Sequence, residues 1–131
     1  VSAVIATSFE DSGVDIYLGS GGSPEGVLAA AALRCLGGKI YGKLLFSTEN
    51  EKERAIKMGI TDFNRVYTTT EMASGEVMFA ATGVTDGTFL KGVRIYKDIA
   101  STHSIIMRSK TKTIRYIEAN HNLTIKPIIQ L

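Results

Sequence analysis

The sequence has one cysteine, two prolines, no tryptophan and no long apolar segment, and these shortages exclude several classes of protein. A single cysteine, Cys35, forms no internal disulfide and no cysteine-based zinc site, so a reducing cytoplasm is the expected compartment. The longest uninterrupted apolar run covers residues 27–33, far fewer than the roughly 20 residues that a membrane-spanning helix needs. No basic-then-apolar signal peptide opens the chain. We therefore expect a cytoplasmic protein that has no membrane partner.

The residues that are present make an ordinary globular composition. The chain has 131 residues, 44% of them apolar and 21% charged, with 15 Lys and Arg against 13 Asp and Glu. This length suits one domain, residues 1–131, with a core of its own. Because the chain starts at Val1 rather than at a methionine, we expect it to be a piece of a longer protein.

The order of apolar spacing and β-rich segments predicts an α/β fold in which helices flank a mixed sheet. Helical spacing predicts a helix over residues 24–36, and residues 1–9 predict the end of another. A capping box of Thr48 and Glu51 begins a short charged helix that ends near Gly59. Segments rich in β-branched and aromatic residues predict strands at 14–18, 39–46, 66–69, 76–81, 93–96, 104–108 and 112–117.

The most informative segment is a glycine-rich loop at residues 19–26, Gly-Ser-Gly-Gly-Ser-Pro-Glu-Gly, between a predicted strand and a predicted helix. Ser23 is the predicted N-cap, and Pro24 suits the first helical position. Free N–H groups and the helix dipole favour an oxyanion or a phosphate there. Two standard phosphate motifs fail, since the dinucleotide pattern needs glycine at Pro24 and the P-loop needs Lys and Ser or Thr at Val27 and Leu28.

Glu25 in this loop has two interpretations. A carboxylate in the first turn of a helix is stabilised by the helix dipole, which makes it a capping residue. Alternatively, it projects into the loop and binds a hard divalent cation beside a bound phosphate. Spacing alone favours the capping role, because a glycine-rich loop without a partner motif is more often structural.

A second segment of interest, residues 80–87, reads Ala-Ala-Thr-Gly-Val-Thr-Asp-Gly. The Asp86-Gly87 pair is typical of a turn, and this structural interpretation is the favoured one. The functional alternative is that Thr82, Thr85 or Asp86 lines a ligand pocket at the end of a strand.

Residues 91–115 carry seven Lys and Arg against one Asp, a net charge of +6. A solvated edge strand protected by its cations is the commonest explanation of such a segment. A binding surface for a phosphorylated sugar is the alternative. Nucleic acid is the least favoured partner, because Tyr96 and Tyr116 are too few to form a stacking platform for bases.

The histidines and the cysteine predict neither a metal site nor a nucleophile. His103 and His121 are 18 residues apart, so each is expected to be a surface or hydrogen-bonded histidine. Cys35 lies on the apolar side of its predicted helix and is expected to be a small core residue.

Residues 21–27, Gly-Gly-Ser-Pro-Glu-Gly-Val, followed by Ala-Ala-Ala-Ala-Leu-Arg-Cys-Leu-Gly-Gly at 29–38, resemble the class II fructose-1,6-bisphosphatases of the GlpX family. The resemblance continues in further blocks that keep their order and cover most of the chain. These blocks lie at residues 11–15, 80–87, 106–109 and 113–115.

The resemblance implies a divalent-metal-dependent phosphatase with the carbohydrate-phosphatase fold, related to the inositol monophosphatases. Such an enzyme removes the 1-phosphate of fructose 1,6-bisphosphate in gluconeogenesis, and its cyanobacterial members also hydrolyse sedoheptulose 1,7-bisphosphate. By this resemblance Glu25 is a ligand of Mn²⁺ or Mg²⁺, and Gly22 contacts the substrate. Metal ligation thereby becomes the favoured role of Glu25.

The resemblance also implies that the chain is the second, C-terminal lobe of a longer enzyme. The family's other metal-binding carboxylates lie upstream, so no catalytic residue is expected in this segment and the isolated chain is expected to be inactive. The implied partners are a sugar bisphosphate, the N-terminal lobe of the same enzyme and further copies in a dimer or tetramer. The alternative is a non-catalytic domain that binds phosphate or a sugar phosphate.

Overall fold

A computed structural model describes residues 1–87 and 89–125, so Thr88 and residues 126–131 of the predicted domain lie outside the described part. The protein is α/β, with helices packed beside antiparallel sheets, which confirms the predicted class. The helices are α1 (Ser2–Ala6), α2 (Ser23–Leu36), α3 (Glu49–Lys57) and α4 (Thr69–Met72), with a 3₁₀ turn at Glu10–Ser12. The strands are β1 (Tyr41–Lys43), β2 (Val66–Thr68), β3 (Met78–Thr82), β4 (Arg94–Tyr96), β5 (Ile99–Arg108) and β6 (Thr113–Asn122).

The ten-residue strand β5 is the centre of the main sheet. β3 and β4 pair with it along one edge, β6 pairs with it along the other, and β1 pairs with β2 in a separate ribbon. Every strand pair in the described residues is antiparallel, so the parallel pairs of a mixed sheet are not among them. No helix in the described ranges is both long and apolar enough to cross a bilayer.

The core lies between α2 and one face of this sheet. Small side chains on α2, such as Ala30 and Ala32, are fully buried and let the helix approach the strands closely. Phe79 of β3 and Met107 of β5 are register partners that face the helix. Cys35 is buried in the same cluster, and burial raises the pKa of its thiol, so it is the small core residue that the sequence predicts.

The predicted strand at residues 14–18 is wrong. The segment has no ladder partner among the described residues and lies largely in solvent, with Ile16 72% exposed and Leu18 85% exposed. A high content of β-branched residues means that the side chains would fit a pleated, half-buried sheet surface. Without a neighbouring strand, that composition does not produce a strand. β1 covers only three residues of the predicted strand at 39–46, because its partner β2 is itself only three residues long.

The predicted end of α2 and the predicted start of α3 are confirmed, whereas the cap predicted at Ser23 is not. α2 ends at Gly37, which has a left-handed φ of 91°. α3 begins after Thr48, whose Oγ1 accepts a hydrogen bond from the N–H of Glu51 at 3.3 Å. The Glu51 carboxylate accepts the N–H of Ser47 at 2.7 Å, one residue earlier than an ideal capping box.

The remaining predicted strands are present, and the two longest extend beyond their predicted bounds. β5 begins at Ile99 and β6 continues to Asn122. Their added halves are polar and pair with each other, as in the 2.6 Å hydrogen bond from Ser101 to Asn120. Of these added residues only Ala100 is buried, so the pattern of a half-buried strand does not reveal them.

Candidate functional site at the start of helix α2

The glycine-rich loop runs directly into the first turn of α2 and is exposed from Gly19 to Glu25, with Gly26 half-buried. The N-cap is Gly22, with φ −66° and ψ 147°, and no side chain caps the helix. Ser23, predicted as the cap, is instead the first helical residue, because the Gly22 carbonyl already accepts the Gly26 N–H at 3.1 Å. The other N–H groups of this turn have no helical partner, so this end carries partial positive charge.

The Glu25 carboxylate folds back over Gly22. A Cβ built on Gly22 would overlap Oε2 of Glu25, so only a residue without a side chain leaves the carboxylate in this position. The φ of Gly22 is ordinary for any residue, and its requirement for glycine is therefore one of space. The structure thus brings together the two residues that the resemblance implies for metal and substrate.

Glu25 is exposed and has no hydrogen bond or ion pair with the described part of the chain. Its side chain therefore does not cap the helix by a hydrogen bond. A carboxylate oxygen is a ligand type that suits Mg²⁺ or Mn²⁺. Residues 1–87 and 89–125 contain no cluster of three or more His, Cys, Asp or Glu that could hold a metal ion.

Met72, the last residue of α4, packs against the first turn of α2. A Cβ on Gly26 would lie 3.4 Å from its Cε, and a Cβ on Gly42 would lie 3.1 Å from its Sδ. The thioether therefore fills a gap between the first turn of α2 and strand β1. Sequence reasoning missed Met72, because the three contacting residues belong to different elements and show no common spacing.

A capping box fixes the start of α4 and hence the position of Met72. The Glu71 carboxylate accepts the N–H of Thr68 at 2.8 Å and its hydroxyl at 2.7 Å, and Arg65 donates to the other oxygen at 2.7 Å. The hydrogen bond from the Thr68 N–H, together with Arg65, lowers the pKa of Glu71 to about 2. The carboxylate therefore stays charged over the whole neutral range.

The segment at residues 80–87 has a structural role. Asp86 accepts the N–H of Gly92 at 2.9 Å and pairs with Arg94 at 2.6 Å, and Arg94 is the main cause of the lowered pKa of Asp86. Thr85 and Asp86 line a mostly apolar cavity of about 460 Å³ at the end of β3. Thr82 does not line it, and its hydroxyl lies 2.8 Å from that of Ser104.

The basic segment is a charged surface in which several cations have acidic partners. Lys91 pairs with Glu118 at 2.7 Å, and Glu76 pairs with both Arg108 and Lys110. These pairs are exposed, which agrees with the favoured explanation of a solvated edge.

The two histidines are hydrogen-bonded, as predicted. Nδ1 of His103 accepts the N–H of Lys91 at 3.1 Å, and its ring stacks on Tyr116 at 5.8 Å. His121 lies 3.0 Å from the Thr102 hydroxyl.

Comparison with known proteins places this chain in a family. The model of the family described as bacterial fructose-1,6-bisphosphatase, glpX-encoded, matches residues 1–121, and the chain belongs to that family. Relatives named D-fructose 1,6-bisphosphatase class 2/sedoheptulose 1,7-bisphosphatase are similar to it. The protein from Crocosphaera subtropica is 42% identical over 92% of this chain, and the one from Microcystis aeruginosa is 40% identical over 100%. The chain spans only 39% and 42% of the length of these two curated relatives.

Proposed function

We propose that residues 1–131 are a single domain, the C-terminal lobe of a metal-dependent sugar bisphosphatase with the inositol monophosphatase-like fold. Its substrate is fructose 1,6-bisphosphate, from which it removes the 1-phosphate in gluconeogenesis, and sedoheptulose 1,7-bisphosphate is a second substrate. Membership of the family and the names of the relatives support this proposal. The observation that carries it is the exposed Glu25 carboxylate, which lies over Gly22 at the start of α2 and has no hydrogen bond or ion pair with the described residues.

The proposed roles follow from the chemistry of this turn. Phosphate monoesters hydrolyse extremely slowly in water, and a bound Mg²⁺ or Mn²⁺ supplies charge neutralisation and a more acidic water. Glu25 would hold one such ion. The free N–H groups at the start of α2 would orient an anionic oxygen of the substrate beside it, where the helix dipole also favours negative charge. Gly22 leaves the space in which carboxylate and substrate meet.

An upstream lobe would complete the site. A hard divalent cation takes about six oxygen ligands, so a single carboxylate binds one only weakly. Apolar side chains flank the site in solvent, including Ile16, Leu18 and Leu28, and they give an upstream lobe a surface to cover. We expect the whole protein to be cytoplasmic and homo-oligomeric, and this chain alone to be inactive.

A chimera tests the proposal. This chain replaces the matching 39% of the Crocosphaera subtropica relative, and the corresponding segment of the Synechococcus elongatus relative, named as the same enzyme, makes the control chimera. The expected result is release of inorganic phosphate from fructose 1,6-bisphosphate that requires Mn²⁺ or Mg²⁺. Neither half alone should release it. A folded but inactive chimera beside an active control chimera would contradict the proposal and favour a non-catalytic sugar-phosphate-binding domain.

A further inference from the structure

A second cavity lies at the opposite end of α2. It has a volume of about 340 Å³ and sits between the end of α2, strand β1 and the start of α4. Because α2 has 14 residues, this cavity is about 20 Å from Glu25. Its lining includes three cations, Arg34, Lys39 and Lys112, and the described residues contribute no Asp or Glu to it.

Two of these cations are held in place by backbone carbonyls. The Arg34 guanidinium donates to the carbonyls of Ala73 and Gly75, the second at 2.9 Å. The Lys112 ammonium donates to the carbonyl of Arg34 at the end of α2. Both groups keep unused N–H donors, since a guanidinium has five and an ammonium has three. The positive charge of the cavity is therefore partly preorganised.

The cavity also offers donors that nothing in the described chain satisfies. Lys39 and Thr70 are exposed and have no hydrogen bond or ion pair with the described residues. Neighbouring Thr69 is fixed by hydrogen bonds with both backbone groups of Ile40, at 2.8 and 3.2 Å, so the wall that carries Thr70 is tied to β1.

The helix dipole does not cancel this positive charge. The end of a helix carries about half a negative elementary charge on its unpaired carbonyls. Here the Leu33 carbonyl accepts the N–H groups of Gly37 and Gly38, at 2.8 and 3.1 Å, and Lys112 covers that of Arg34. The three positive charges of the cavity therefore exceed the partial negative charge that remains at the end of α2.

We propose that this cavity binds the phosphate group of a small phosphorylated ligand, at a site separate from Glu25. Lys39, Lys112 and Thr70 supply the ligand contacts, and Arg34 adds charge from the wall. A doubly charged phosphate is the anion that best uses several cations and hydroxyl donors at once. The proposal does not depend on the bisphosphatase function, because none of these residues contacts Gly22 or Glu25.

Amide NMR of the 131-residue chain, titrated at constant ionic strength, tests the site. Inorganic phosphate and glucose 6-phosphate are the probes, and glucose and chloride are the controls. Saturable shifts at Lys39, Thr70 and Lys112 with either phosphate are the expected result. Tighter binding of one probe tells whether free phosphate or a phosphate monoester is the source of the group.

Variants separate a built site from diffuse attraction. Lys39→Ala combined with Thr70→Ala removes two exposed side chains, so folding should survive, and the phosphate Kd should rise by about tenfold or more. Lys97→Ala, which removes an exposed cation elsewhere, should leave that Kd unchanged. Absent shifts, an unchanged Kd in the double variant or an equal loss with Lys97→Ala would overturn the proposal.

Discussion

Replacing Gly22 with alanine should displace the Glu25 carboxylate without unfolding the protein. The new Cβ would occupy the position of Oε2, and the flexible side chain must rotate away. The backbone tolerates alanine, since φ is −66°. Alanine is a poorer N-cap than glycine by about 0.5–1 kcal/mol, and its smaller unfolded-state entropy returns about 0.4–1 kcal/mol. The free energy of unfolding should therefore change by less than about 1 kcal/mol.

Mn²⁺ binding should respond much more strongly than stability. In the Crocosphaera chimera, where an upstream lobe would complete the site, moving a ligand out of position should weaken metal binding by about 10–100-fold. A titration with Mn²⁺ detects this as weaker paramagnetic broadening of the amide signals of residues 21–27. In a Glu25→Gln background, Gly22→Ala should have little further effect, because the carboxylate it displaces is already gone. Undiminished broadening in Gly22→Ala, or an equal additional loss in the double variant, would refute the spatial role of Gly22.

Three further predictions concern the stability of the fold. Met72→Ala empties the gap beside α2 and should cost about 1–2 kcal/mol, less than a fully buried methionine, by chemical denaturation. Glu71 has its pKa lowered to about 2, so its stabilising contribution is complete above pH 4.5 and is lost as the pH falls towards 2. Melting curves of Glu71→Gln should lack that part of the acid dependence. A Cβ on Gly83 would overlap the Lys91 carbonyl, so Gly83→Ala should cost about 1–3 kcal/mol, whereas Gly21→Ala, in open space, should change the melting temperature little.

The start of α3 and the end of α2 were predictable from the sequence because their signals are local. The capping residues, Thr48 with Glu51 and Gly37, interact with backbone groups within one helical turn. The residues that determine these helix ends are therefore close together in the sequence. The strand predicted at 14–18 failed because a strand needs a partner edge, which composition does not supply.

The residues of the candidate site were predictable to different degrees for the same reason. Glu25 and Gly22 are three residues apart on one helical turn, so the motif predicted their proximity. Met72 comes from α4, almost fifty positions further along the chain, and Glu71 acts only by fixing the start of that helix. Such contacts depend on how the elements pack, and neither spacing nor residue type indicates them.

The central claim is that Glu25 contributes a metal ligand to a sugar bisphosphatase. Phosphate release by the Crocosphaera chimera, at saturating fructose 1,6-bisphosphate and Mn²⁺, tests it directly in Glu25→Gln, with Glu53→Gln as an exposed carboxylate control. The account predicts a fall in kcat of about 10²-fold or more for Glu25→Gln, with an unchanged melting temperature and normal activity in the control. Near-normal activity of Glu25→Gln would contradict it.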